Sequence, residues 1–288
     1  MAERYLMTPL LARGALFSPF KRPHPDAHVP PTRLVLPDVR IDLDRLAAYE
    51  RICGFATGAD ALPVTYPHVL GFPLAMRIMA SRSFPLPLLG LVHTSIEITQ
   101  RRALAAGEAY ELGVCVAGLE PHRRGTQACV VTEARVDGEL VWESRSVYLA
   151  RHRTNGESEE SGKSEETAST IPRESHGGAS LPVRAEWRLG GDVGRRYGAA
   201  SGDRNPIHLH ALTARLFGFP RAIAHGMWTV ARCLAEQGPQ DAVRLRADFK
   251  APVLLPGTVT YAADGPAFEL RGTDTGRLHL TGDLQPMR

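Results

Sequence analysis

Lysine is almost missing from this chain: Lys21, Lys163 and Lys250 stand alone among 34 basic residues. The formal net charge is only +3 and like charges form no block, which excludes a basic arm and, with it, nucleic acid as the expected partner. No run approaches the ~20 apolar residues that a membrane span needs. The N-terminal stretch lacks the unbroken apolar core and small-residue cleavage site of a secretory leader. The four cysteines, Cys53, Cys115, Cys129 and Cys233, are widely spaced, so neither a disulfide framework nor a CxxC metal pattern is expected. They read as buried apolar side chains in a reducing, cytoplasmic setting. GxGxxG, Walker and GxSxG patterns are absent from the sequence, which leaves nucleotide-driven and serine-hydrolase chemistry without support.

The organisation is legible in two halves. Residues 153–182 are rich in Ser, Glu and Gly with little to bury, and are expected to form a flexible linker. It separates an N-terminal arm (1–32) and a first half (33–152) from a second half (183–288). Three anchors recur in the same order. Cys53-Gly-Phe-Ala-Thr-Gly58 lines up with Tyr197-Gly-Ala-Ala-Ser-Gly202, and the run from Arg102 to Tyr110 matches that from Pro252 to Thr260. Between them, Tyr66-Pro67-His68-Val69 and Ile223-Ala224-His225-Gly226 each open an apolar helical stretch. That order predicts an internal duplication. In the first half a helix at Leu74–Met79 precedes strands at 91–99, 110–119, 129–136 and 141–149. In the second, a helix at Met227–Glu236 precedes strands at 244–249, 258–263, 268–271 and 278–282. An α+β fold follows, each half a helix laid on a strongly bent antiparallel sheet.

The chemically informative stretch is Ser201-Gly202-Asp203-Arg204-Asn205-Pro206-Ile207-His208. Gly202 and Pro206 bracket a turn, and Pro206 biases Asn205 away from helix. Asp203 and His208 could converge across that bend, as general acid–base addition of water to a double bond requires. A plain capped turn, with Asp203 as N-cap and His208 incidental, explains the same residues equally well. His208-Leu209-His210 is a weak metal candidate, since residues two apart face opposite ways on a strand; no metal and no cofactor are expected.

Gly202-Asp203-Arg204-Asn205-Pro206-Ile207-His208 resembles the hydratase-2 signature of the MaoC-like acyl dehydratases, Gly-Asp-x-Asn-Pro-[aliphatic]-His. The resemblance implies a hotdog fold and, with the duplication, a double hotdog. It implies a hydro-lyase interconverting (3R)-hydroxyacyl and trans-2-enoyl thioesters, with Asp203 and His208 catalytic and Asn205 holding them in register. Ser201 is a neighbouring support or a packing residue. The family's His-Gly is matched by His225-Gly226. The Gly226 N–H, at a helix start, would form the oxyanion hole, with His225 structural or in the pocket. In the first half the aligned positions are Ala59, Ala61 and Val64, so a single active site is expected. There Tyr66 and His68 either shape the substrate pocket or pack the helix entry. The implied partner is an acyl-CoA or acyl-carrier-protein thioester, whose phosphates the Arg-rich surface, including Arg101-Arg102, could meet. Two such chains could pair as a homodimer. Thioesterase chemistry and non-catalytic acyl binding are the alternatives, and the intact motif argues against both.

Overall fold

The computed structural model describes residues 31–152 and 181–287, with residues 18, 21, 23, 24 and 27–29 of the arm. Nearly all of the expected linker lies outside the described residues. In the first half, strand β1 (Arg33–Arg40) is followed by helices α1 (Leu43–Cys53) and α2 (Tyr66–Met79). Strands β2 (Leu91–Gln100), β3 (Ala109–His122), β4 (Gly125–Val136) and β5 (Glu139–Arg151) complete it. The second half runs β6 (Val183–Leu189), α3 (Val193–Ser201), the short α4 (Pro206–Leu209) and α5 (Ala211–Leu216), α6 (Gly226–Ala235), and β7 to β10 (Val243–Phe249, Gly257–Asp264, Ala267–Gly272, Leu278–Pro286).

One antiparallel sheet carries all ten strands, in the order β1-β3-β4-β5-β2-β7-β10-β9-β8-β6. Read outward from the β2–β7 seam, the two halves have the same strand order, as a duplicated unit must. The seam pairs Ser95 with Asp248 through to Gln100 with Val243, and Arg246 reaches Glu97 across it. This is the double hotdog that the resemblance implies. The two hotdog helices, α2 and α6, are clad in apolar side chains such as Val69, Leu74 and Met79, and Val230, Ala231 and Leu234, all buried against the sheet. A helix apolar over most of its surface belongs under a sheet rather than at a surface. No helix among the described residues is long and apolar enough to cross a membrane.

Several elements differ from the expectation. Helix α2 begins at Tyr66 and passes through Pro73, although proline removes one helical N–H. Helices α1 and α3 and strands β1 and β6 add to each half. Strand β1 contains Pro37 and a bulge between Leu36 and Val39, where Asp38 adopts φ 51°; such an interrupted strand survives at a sheet edge.

The register of the duplication also differs. Gly54 and Gly202 both take left-handed conformations (φ 85° and 87°) and end α1 and α3, each donating its N–H four residues back. Gly202 therefore corresponds to Gly54, one helical turn from the Gly58 alignment, and Tyr49 to Tyr197, whose rings lie 5.9 Å apart. Both halves carry glycines four residues apart here, so a one-turn slip preserves the pattern. Downstream, Ala61 bridges Ala105 as Ile223 bridges Leu254. The stretch from Gly202 to Ile223 is much longer than that from Gly54 to Ala61. Ala59, Ala61 and Val64 are thus not the counterparts of Asp203, Asn205 and His208, which lie on an excursion that the first half does not have.

Candidate active site

The excursion is built against α3, and glycine makes that contact. A side chain at Gly194 would run into the His208 carbonyl, and one at Gly198 would come 2.7 Å from the Asp203 carbonyl. Two glycines one turn apart therefore open a groove on α3 into which residues 203–209 settle. Neither obstacle can swing aside, because both are backbone. Gly194→Ala is expected to displace α4 and lower turnover by roughly 100-fold, the scale of a 1 Å misplacement; a steady-state assay of the variant beside wild type checks this.

Asp203 is held on three sides. Its N–H donates to the Ser201 hydroxyl (3.1 Å), its carbonyl accepts from His225 Nε2 (3.0 Å), and its Oδ1 accepts the Asn205 N–H (3.1 Å). The N-cap of α4 is Asn205, whose side chain accepts the Ile207 N–H, and not Asp203 as a capped turn would have it. Pro206 opens the helix, where its missing N–H costs nothing. The end of α3 is gripped from the other half: Arg45 of α1 donates to the carbonyls of Ala200 (2.8 Å) and Ser201 (2.7 Å). A guanidinium there satisfies carbonyls that lack a helical partner and suits the negative helix end. The exchange is mutual, since the Trp228 indole donates to the Ile52 carbonyl near the end of α1 (2.9 Å).

His208 is buried, and its Nδ1 lies 2.8 Å from the Ile223 carbonyl. A carbonyl only accepts, so Nδ1 carries the proton and Nε2 of the neutral ring is a base. Burial holds His208 below its ordinary pKa, against opposing pulls from Asp203 and the Ile223 carbonyl. Burial likewise pushes the Asp203 carboxyl above its ordinary value, opposed by His208 and the Asn205 N–H. The two shifts run in opposite directions, each towards the neutral form of its group.

Asp203, His208 and His225 each bring one donor atom within 4.8 Å of the others. Metal ligation fits this set poorly: His225 Nε2 donates to Asp203, His208 Nδ1 donates to Ile223, and the two rings stack at 3.7 Å. Stacked rings cannot both aim a lone pair at one ion.

Gly226 is the first residue of α6, and its N-cap His225 makes no side-chain capping bond. First-turn amides have no acceptor within their own helix. The Phe249 ring occupies the space where a Gly226 side chain would begin, 2.8 Å from that point, so the glycine admits both the ring and anything lying on its N–H. Of the first-half candidates, Tyr66 is fully buried and packs on Tyr49 (5.1 Å), close to α1. His68 lies elsewhere, stacked 6.2 Å from His93. The structure also adds Arg45, His93, Tyr148 and Phe249, which the sequence reading passed over. His93 and Tyr148 face each other across β2 and β5, a juxtaposition that no local motif signals. Arg102 is engaged by Glu108 through both terminal guanidinium nitrogens and is a poor phosphate ligand.

A double hotdog with Asp, Asn and His carried on an excursion beside the second hotdog helix defines an acyl-thioester dehydratase scaffold. The chain belongs to the MaoC-like dehydratase family. The family model described as MaoC like domain matches residues 180–265. The curated 3-hydroxyacyl-thioester dehydratase X of Mycobacterium tuberculosis is 35% identical over 263 residues, spanning 89% of this chain and 90% of that one. The crystal structure of HtdX from the same organism superposes with a TM-score of 0.74 at 33% identity, over 89% of this chain and 100% of that one. A further M. tuberculosis protein, RV0216, described as having a double hotdog fold, shares the architecture at 13% identity (TM-score 0.56; 91% and 97% covered).

Proposed function

We propose that this chain is a hydro-lyase that interconverts (3R)-3-hydroxyacyl and trans-2-enoyl thioesters, with His208 as base, Asp203 as acid and the Gly226 N–H holding the thioester oxygen. The observation that carries the reading is the opposed tuning of one pair: an imidazole lowered by burial, with its Nδ1 proton on the Ile223 carbonyl, beside a carboxyl raised by burial. The family supports it, as does the relative named for 3-hydroxyacyl-thioester dehydration.

In the dehydration direction, His208 Nε2 takes the C2 proton while the thioester oxygen gathers charge against the Gly226 N–H. The C2–H electrons form the C2=C3 bond, the C3–O bond breaks, and Asp203 delivers its proton to the departing oxygen, releasing water. The pair is left as imidazolium and carboxylate, an ion pair that proton return resets. Asn205 and Ser201 fix Asp203 from the backbone side, while His225 locks its carbonyl and stacks on His208. The substrate arrives as an acyl-CoA or acyl-carrier-protein thioester. The four free thiols favour a cytoplasmic setting.

The test is incubation with short and long trans-2-enoyl thioesters on either carrier, following the conjugated absorbance and free thiol together. The absorbance is expected to fall with no thiol released. An unchanged absorbance on every chain length and carrier overturns the reading, and thiol release would replace it with thioester hydrolysis.

A further inference from the structure

The first half lacks the catalytic excursion, yet its interior beside the site is more polar than that of the catalytic half. Tyr148, Ser146 and Ser144 occupy alternate positions of β5 and so share one face, opposite His93, Ile96 and Ile98 of β2. All three are buried. The corresponding strand β10 presents buried Leu280 and Leu284, and at Gly282 the ring of Phe268 fills the space of a side chain. Polar side chains under a hotdog helix, where the sister half has apolar ones, need a reason.

Their hydrogen bonding is also incomplete. Among the described residues, His93 Nε2, His68 Nδ1 and Ser144 Oγ are buried without a partner. Buried polar atoms are normally satisfied, and a cluster of exceptions points to a group that arrives from outside. The cluster adjoins the reacting centre. Phe249, packed on Gly226, lies 4.8 Å from the His93 ring, and His93 stacks on Tyr148 at 4.6 Å, with His68 behind it. Asp203 in turn bears electrostatically on Tyr148.

Resting on the function proposed above, we propose that this row is the acyl subsite and that it selects thioesters carrying a hydroxyl group beyond C3, whose proton His93 Nε2 accepts. The carrier arm must stay joined to CoA or a protein outside, so the arm that enters the buried row is the acyl one. The other ring nitrogen of His93 bonds the Ser95 backbone in the sense that favours the protonated ring. It is therefore the donor, to a carbonyl, and Nε2 is left with a lone pair. Burial holds His68 down at about 4 and His93 at about 3. Both rings are neutral at working pH, and a neutral acceptor suits an O–H donor and not a carboxylate. His68, beside His93, would take up the hydroxyl's own lone pairs, and Ser144, four residues further along β5 from Tyr148, would meet only a second oxygen deeper in the chain.

The test uses three trans-2-enoyl-CoA substrates of equal chain length: unsubstituted, hydroxylated at successive carbons beyond C3, and the matching methyl ethers. At one position wild type is expected to show kcat/KM about tenfold higher for the hydroxylated substrate. The ether, which cannot donate, should fall to or below the unsubstituted level. In His93→Phe the ratio of hydroxylated to unsubstituted should drop to about one. Equal rates on all three substrates at every position, an ether as good as the alcohol, or an undiminished preference in His93→Phe each overturns the proposal. The wild-type series decides alone if the variant does not fold. A protein that hydrates none of the substrates overturns the function beneath as well, whereas equal hydration of all three overturns only the subsite.

Discussion

Asp203→Asn is expected to lower kcat/KM for hydration by roughly 10²–10⁴, and His208→Ala by a similar factor, the range over which a positioned acid or base contributes. The double variant should be scarcely worse than either single one, because two groups that act in one proton-transfer event fail together. The Asn205 N–H can still donate to the carbonyl oxygen of an asparagine at 203, so the backbone of the excursion should hold. Stability should move the other way. Asp203 has its pKa raised by burial, so the stability it contributes is present below its unfolded value and lost as pH rises through the folded one. At neutral pH the carboxyl, raised by desolvation though a quarter of it is exposed, costs stability, and Asp203→Asn should unfold at a higher urea concentration than wild type. Activity lost with stability gained is the signature of a strained catalytic group. Full activity in Asp203→Asn would place the acid elsewhere; lost activity with lower stability would make Asp203 a structural residue.

The sequence already pointed to Asp203 and His208 because their motif is contiguous, and chain connectivity alone brings such residues near one another. The paired helices and strands were legible for a similar reason: their apolar periodicity is local. The register of the duplication was not, because glycines four apart in both halves tolerate a slip of one turn. What decides it is the left-handed cap at Gly54 and Gly202 and the bridges at Ala61 and Ile223, and these depend on partners far along the chain. The proposed catalytic residues sit on an excursion that the first half lacks, and glycines 194 and 198 make room for it. Arg45, His93, Tyr148 and Phe249 stayed invisible because each acts across the sheet or between the halves. Arg45 is the clearest case, since it lies in the other half and nevertheless holds the helix end from which Asp203 projects.

Histidines held below their ordinary pKa should make this protein unusually sensitive to mild acid. Burial lowers His68 to about 4 and His93 to about 3, and holds His208 and His225 below the ordinary value of 6.5 as well. A histidine with a depressed folded pKa contributes stability that is fully present above its unfolded value. That stability is lost as pH falls towards the folded one, because the unfolded chain takes up the proton first. The window therefore opens near pH 6.5 and, for His68, closes near pH 4, over which His68 alone is worth about 3 kcal/mol. Asp203 works in the opposite sense over part of that range, and Glu50, also raised by burial, joins it. Two raised carboxyls oppose six lowered imidazoles, His122 and His279 being the other two, so the net slope should still be downward. Urea midpoints are expected to be level above pH 7 and to fall steadily from pH 6.5 to pH 5. His68→Leu, which removes one of the protons taken up on unfolding, should flatten that fall. A wild-type midpoint unchanged between pH 7 and pH 5 would mean that the histidines are hydrated in the folded protein, and with them the polar row from which the acyl subsite is built.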